Sequence, residues 1–134
     1  ATSTETTEVN VDELWNRTRA VCELQGTDAA EPMLRQVLAL KPSHGWANIS
    51  LGRHLLERGR EEGEQFLRRI LDEEDNELIP TASEVLLRHF HQLGRTDKVQ
   101  ETRSALSRYE AAREAAARER SIVTATDSFL PHEL

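Results

Sequence analysis

The sequence predicts an all-α chain, folded as a stack of helix-turn-helix repeats, and three observations lead there. First, 37% of the 134 residues are hydrophobic and 31% charged, with only three Phe, two Trp and one Tyr. That is the profile of solvated amphipathic helices and not of an aromatic β core. Second, Gly26, Gly59 and Gly94 each follow a run of apolar periodicity, and they stand 33 and 35 residues apart, within the range of helical repeats. Third, sliding the first segment by 33 residues superposes Ala30 on Gly63, Leu34 on Leu67, Val37 on Ile70 and Leu38 on Leu71. In the third copy Val99 takes the place of Ala30 and Gly63, and Leu106 that of Val37 and Ile70.

Each element then follows in order. Residues 1–9, rich in small, polar and acidic residues, read as a disordered linker or the edge of an excised domain. Apolar stripes at spacings of three and four predict helices over 10–25, 28–40, 45–58, 61–74, 80–93 and 97–120. Asp28 and Asp97 stand where second helices begin and Ser43 ahead of the third helix, as groups that accept backbone N–H bonds. Pro42 ends the second helix, because the residue before proline is pushed out of the helical region. The acidic stretch 72–80 is a looser version of that corner, with Pro80 suited to the first turn of the next helix. The sixth helix carries Leu106, Tyr109 and Ala112 on one stripe and is expected to cap the stack, lacking the sustained heptads of a coiled coil. Residues 121–134, with β-branched residues, Pro131 and Phe129-Leu130, read as an extended tail, a linker, or an apolar strap for a groove.

Residues 11–110 resemble the tetratricopeptide repeat. The second copy supplies Leu51-Gly52, Leu55, Gly63 and Leu67; the first supplies Trp15, Ala30, Leu34 and Pro42; the third supplies Leu86, Leu87, Phe90 and Val99. Thr18-Arg19 replaces Leu-Gly in the first copy, Asn48 stands at the tryptophan position of the second, and the first two copies are one residue short at the hairpin. The resemblance implies a right-handed α-solenoid in which Gly52 and Gly63 are small because two helices touch there, while Gly59 turns the chain between them. It also implies a concave groove lined by the first helix of each pair. The positions that would face it are Glu13, Asn16, Ala20 and Glu23, then Trp46, Ile49, Arg53 and Leu56, then Thr81, Glu84, Arg88 and His91.

The remaining features exclude more than they suggest. A formal net charge of −7 repels nucleic acid and anionic lipid on average. The basic run Arg53, Arg58, Arg60, Arg68 and Arg69 is interleaved with Glu57, Glu61, Glu62 and Glu64 and reads as a solvated, salt-bridged face. No apolar stretch is long enough to span a bilayer, so the segment is expected to be soluble and cytoplasmic. Cys22 stands alone and reads as a small helical packing residue. The five histidines offer no chelating pair, since His89 and His91 diverge on a helix, and there is neither a phosphate-binding loop nor a nucleophile elbow. No metal, no cofactor and no catalysis within the segment are expected.

What remains is surface for a partner. The expectation is a non-catalytic protein-protein interaction module that takes a protein or peptide through Asn16, Trp46, Ile49, Arg53, Glu84, Arg88 and His91. Arg53 and Arg88 would grip a carboxylate or acidic peptide, with Trp46 and Ile49 as apolar contact. Ala20 and Ile49 stand where the polar ligands of chaperone-binding members would be, so chaperone binding is not expected. Self-association through the groove or tail is a further option for a stack with open ends. The repeats, the Ala/Arg/Glu helix and the tail also resemble the C-terminal region of some bacterial membrane-associated zinc metallopeptidases. That resemblance implies an accessory or gating role, with the chemistry encoded upstream.

Overall fold

The computed structural model describes residues 2–73 and 75–129, with side-chain surroundings for 10–73 and 75–125. Six helices follow one another: α1 Thr2–Gln25, α2 Thr27–Leu40, α3 Gly45–Glu57, α4 Gly63–Leu71, α5 Ile79–Gln92 and α6 Thr96–Phe129. No strand occurs among the described residues. The three periodic glycines are, among the described residues, the three with positive φ, at 93°, 73° and 67° for Gly26, Gly59 and Gly94. Their recurrence in the sequence is the recurrence of a left-handed residue after each first helix, a conformation that L side chains resist.

Hydrogen bonding divides these turns into two kinds. After α3, Gly59 N–H donates to the Leu56 carbonyl and Arg60 N–H to the Leu55 carbonyl; after α5, Gly94 donates to His91 and Arg95 to Phe90. Both are Schellman closures, and in the second the Arg95 guanidinium also lies 5.8 Å from the centroid of Phe90. After α1, Gly26 makes only the single bond to the Cys22 carbonyl, the simpler left-handed cap, and α2 begins at the next residue.

Helices pack as neighbours in sequence: α1 on α2, α3 on α4 and α5 on α6 within pairs, with α2 against α3 and α4 against α5 between pairs. The pair α3/α4 is held close by glycine. A Cβ on Gly63 would lie 2.5 Å from the Gly52 carbonyl oxygen, and one on Gly52 would lie 2.8 Å from Leu67 Cγ. Two apolar clusters fill the spaces between pairs. Leu34, Val37 and Leu38 of α2 meet Ala47, Leu51 and Leu55 of α3 and Phe66 of α4, with Leu14 and Trp15 alongside. Ile49, Leu67 and Ile70 meet Ile79, Ala82, Leu86, Phe90 and Val99. Of the residues superposed by the 33-residue shift, Ala30, Leu34, Val37 and Leu38 with Gly63, Leu67 and Ile70 are buried, and Leu71 is half-buried.

Several local expectations change. The first helix starts at Thr2 and the last runs to Phe129, so helix covers backbone in the stretches read as linker and tail. A helix already nucleated against the stack propagates through β-branched residues at a cost of only tenths of a kcal/mol each, up to about 0.7. Leu130, Pro131 and His132 lie outside the described residues. The cap of α3 is His44 and not Ser43: His44 Nδ1 accepts from Ala47 N–H at 3.1 Å. Asp28 and Asp97 sit inside the first turns of α2 and α6, and the residue at the cap of α2 is Gly26.

Two departures from the repeat pattern are polar residues satisfied in the interior. Asn48 is buried, and its Nδ2 donates to the Pro42 and His44 carbonyls, both at 2.9 Å. It fastens the corner between α2 and α3 where a tryptophan would only fill space. Thr18 is buried too, with its hydroxyl on the Leu14 carbonyl at 2.6 Å.

Candidate functional site

The first helices α1, α3 and α5 set the geometry of the expected groove. α3 and α5 touch directly, whereas α1 makes no comparable approach to α3. The seam between α1 and α3 is an open cleft of about 390 Å³ lined by Trp15, Arg19 and Cys22 on one side and Trp46 and Ser50 on the other. Both sets follow helical spacing, so each wall is one stripe of its helix. Trp46 is 50% exposed, which is unusual for so large an apolar ring. Trp15 is half-buried and leans on the His44 ring, with centroids 4.7 Å apart.

Arg53 continues the α3 wall one turn beyond Ser50 and is exposed. Its charge reaches across to Cys22. Burial raises the thiol pKa above its ordinary value of 9.0, Glu23 adds to the rise, and Arg53 offsets part of it. Cys22 is therefore a protonated packing group in the cleft and not a thiolate. At the head of α3, burial holds His44 below its ordinary 6.5, Lys41 lowers it further and Asp12 opposes. The neutral ring is the form that can accept the Ala47 N–H bond.

The expected groove residues divide into four groups. Trp46 lines the α1/α3 cleft, and Arg53 stands exposed one turn beyond its Ser50 edge. Ile49 is 1% exposed and packs in the core with Ile79, Ala82 and Leu86, so it fills the α3/α5 seam and offers no surface to a ligand. Glu84, Arg88 and His91 are exposed on α5; Arg88 meets Glu84 on its own helix at 3.4 Å, and His91 Nε2 lies 3.5 Å from Arg103 of α6. Asn16 is exposed on α1, one position round from the wall formed by Trp15, Arg19 and Cys22. On α1 the expected positions and the cleft wall differ by one residue, and the i, i+4, i+7 spacing of Trp15, Arg19 and Cys22 is a sequence signal that the repeat resemblance does not use.

A second constellation was not anticipated. His54, buried on α3, places Nε2 3.2 Å from Glu31 Oε1 and 3.4 Å from Asp28 Oδ1, both on α2. Arg58 pairs with Asp28, and Arg60 with Glu31 at 3.0 Å and Glu62 at 2.8 Å. Arg35 reaches Glu31 at 3.2 Å and Glu62 at 3.1 Å. Burial works to raise the Glu31 carboxyl pKa, but bonds from Arg35, Arg60 and His54 outweigh it and hold the group below its ordinary 4.5. Arg68 similarly meets Glu64 at 3.4 Å and Glu101 at 3.6 Å. Part of the basic run is thus salt-bridged as expected, with local ties to Glu62 and Glu64 and others that reach Asp28, Glu31 and Glu101 on neighbouring helices.

Among the described residues no group of three His, Cys, Asp or Glu side chains is arranged to hold a metal ion, and no helix is long and apolar enough to cross a membrane. Compared with protein-family models, curated proteins and solved structures, the chain matches none.

Proposed function

We propose that the chain is a tetratricopeptide-like module that binds a protein or peptide on the face formed by its first helices, without catalysis of its own. The observation that carries this reading is the α1/α3 cleft, where Trp15 and Trp46 leave aromatic surface open between two helix stripes. Isolated exposed apolar residues are ordinary on a protein surface; two large rings facing one concave cleft are the arrangement that anchors peptide side chains. The helix-pair packing and the three left-handed glycines support the repeat assignment.

The test is comparative affinity capture with the full chain and its Trp46→Ala, Arg53→Ala double variant, quantified by mass spectrometry. Both side chains are exposed, so the variant is expected to keep its helicity. Partners held by the parent and lost by the variant are the expected result. An identical set retained by both would remove the cleft as the binding surface.

A further inference from the structure

Two arginines at the α1/α3 cleft stand without a carboxylate partner among the described residues, as do the exposed arginines of α6. Arg35, Arg58, Arg60, Arg68 and Arg88 each meet a carboxylate. Arg19 on the α1 wall and Arg53 on the α3 wall meet none among the described residues, although Glu23 and Glu57 lie one turn further along the same helices. In both cases the arginine precedes the glutamate, the less favourable order for an i,i+4 pair on a helix, so neither guanidinium is strongly held by its own helix. Here the Arg19 guanidinium lines the cleft beside two indole rings and Ser50, and Arg53 stands exposed one turn beyond Ser50 on α3, near enough for its charge to act on Cys22, in a chain that is acidic as a whole.

Resting on the reading that this face binds polypeptide, we propose that the α1/α3 cleft takes a short extended acidic segment of another protein. In that segment an Asp or Glu stands two or three residues from a bulky aliphatic or aromatic side chain. The spacing follows from the walls. Trp46 and Arg53 are separated by about 10 Å along α3 at 1.5 Å per residue, and Trp15 and Arg19 by about 6 Å along α1. An extended chain covers those distances in roughly three and two residues at about 3.3 Å each.

The chemistry of each half reinforces the other. An apolar side chain laid between Trp15 and Trp46 displaces water from the cleft, and in the drier site a guanidinium-carboxylate pair gains strength, with forked geometry open to Arg. A neutral segment would partly desolvate Arg19 and Arg53 without pairing them, and a basic one would add like charge, so both are disfavoured. The cleft is short, about 390 Å³, which suits a few side chains of an extended strand better than the face of a whole helix.

The test is to pan a random linear peptide library against the full chain, counter-selected on the Trp46→Ala variant. Synthetic labelled copies of the enriched peptides are then titrated by fluorescence anisotropy. Enrichment of an acidic residue two or three positions from a bulky apolar one is expected. Affinity should then fall roughly tenfold when that residue becomes its amide, and by a similar factor in Arg19→Ala and in Arg53→Ala. Ser50→Glu, which puts a negative charge between the walls, should weaken binding at least as much while leaving helicity unchanged. Enrichment of neutral or basic peptides that Trp46→Ala does not hold would overturn the acidic preference and leave the cleft as a binding surface. No enrichment over Trp46→Ala would overturn both.

Discussion

Replacing Gly63 by alanine tests the close approach on which the middle repeat depends. Gly63 opens α4 with ordinary backbone angles, so alanine is conformationally allowed, and in isolation it should favour the helix by up to about 1 kcal/mol, less at a first helical position. Packing opposes this. The new Cβ would lie 2.5 Å from the Gly52 carbonyl oxygen and 2.9 Å from Leu55 Cβ, against an optimum of about 3.5–4.0 Å for carbon contacts. The nearest obstacle is backbone, so no rotamer change relieves it, and α3 and α4 must part by roughly 1 Å. Overpacking of this kind costs about 1–3 kcal/mol, and parting the helices also loosens Leu55 and Leu67, which are fully buried. A net destabilisation of about 1–3 kcal/mol is expected, or a fall in Tm of roughly 3–5 °C per kcal/mol for a chain of this size. Urea unfolding followed by circular dichroism measures it directly. Gly52→Ala should behave alike, and the double variant should cost less than the sum, because both relieve the same crossing. A Gly63→Ala protein as stable as the parent would refute the argument.

Three further outcomes are expected. His44 has a folded pKa below its ordinary 6.5, so its contribution to stability is fully present above that value and is lost as pH falls from there toward the folded pKa. Urea midpoints between neutral and mildly acidic pH should show this loss in the parent and not in His44→Asn, which keeps a capping side chain without the titration; equal slopes would count against it. Asn48→Ala removes two buried donors to the Pro42 and His44 carbonyls and should cost about 1–3 kcal/mol by chemical denaturation, whereas a change below about 0.5 kcal/mol would deny it that role. In the α2/α3 charge cluster, Arg58→Ala should fall within about 0.5 kcal/mol of the parent because its pair with Asp28 is exposed, while His54→Ala, at a buried site, should cost about 2 kcal/mol. Thermal unfolding of the two variants side by side decides whether burial, and not the number of ion pairs, governs that cluster.

Much of the fold was legible because its determinants are local. Glycines at a fixed period report a left-handed turn that almost no other residue makes cheaply, and the apolar positions 33 residues apart report the same helix faces. Gly52 and Gly63 could be read as a contact because glycine within a helix costs about 1 kcal/mol relative to alanine, a loss that the close approach of a second helix offsets. Where determinants are not local, reading failed. His44 displaced Ser43 as the cap because its ring also packs on Trp15, a partner 29 residues away in sequence. Asn48 looked like a defect in the repeat, and its worth lies in two carbonyls at a corner whose shape no periodicity encodes. The Asp28, Glu31, His54, Arg58 and Arg60 cluster joins residues from two helices and a turn, and only the crossing of α2 with α3 brings them together.

The position of the cleft follows from an asymmetry between the two seams on the first-helix face. Between α3 and α5, Ile49 projects into the seam and meets Ile79, Ala82 and Leu86, so apolar burial draws these helices together and closes the surface. Between α1 and α3 the corresponding residues are Arg19, Cys22 and Ser50, with Trp15 drawn aside onto His44. None of these supplies the aliphatic bulk that would make closure favourable, and bringing Arg19 and Arg53 together unpaired would oppose it. The seam stays open for a reason written in its side chains, and not because the stack is loose: the cores on either side of α3 are continuous and buried. A ligand would therefore meet walls already in place, with the ordering cost falling mainly on its own chain. That cost is smallest for a short segment, the kind of occupant proposed above from the spacing of tryptophan and arginine on each wall.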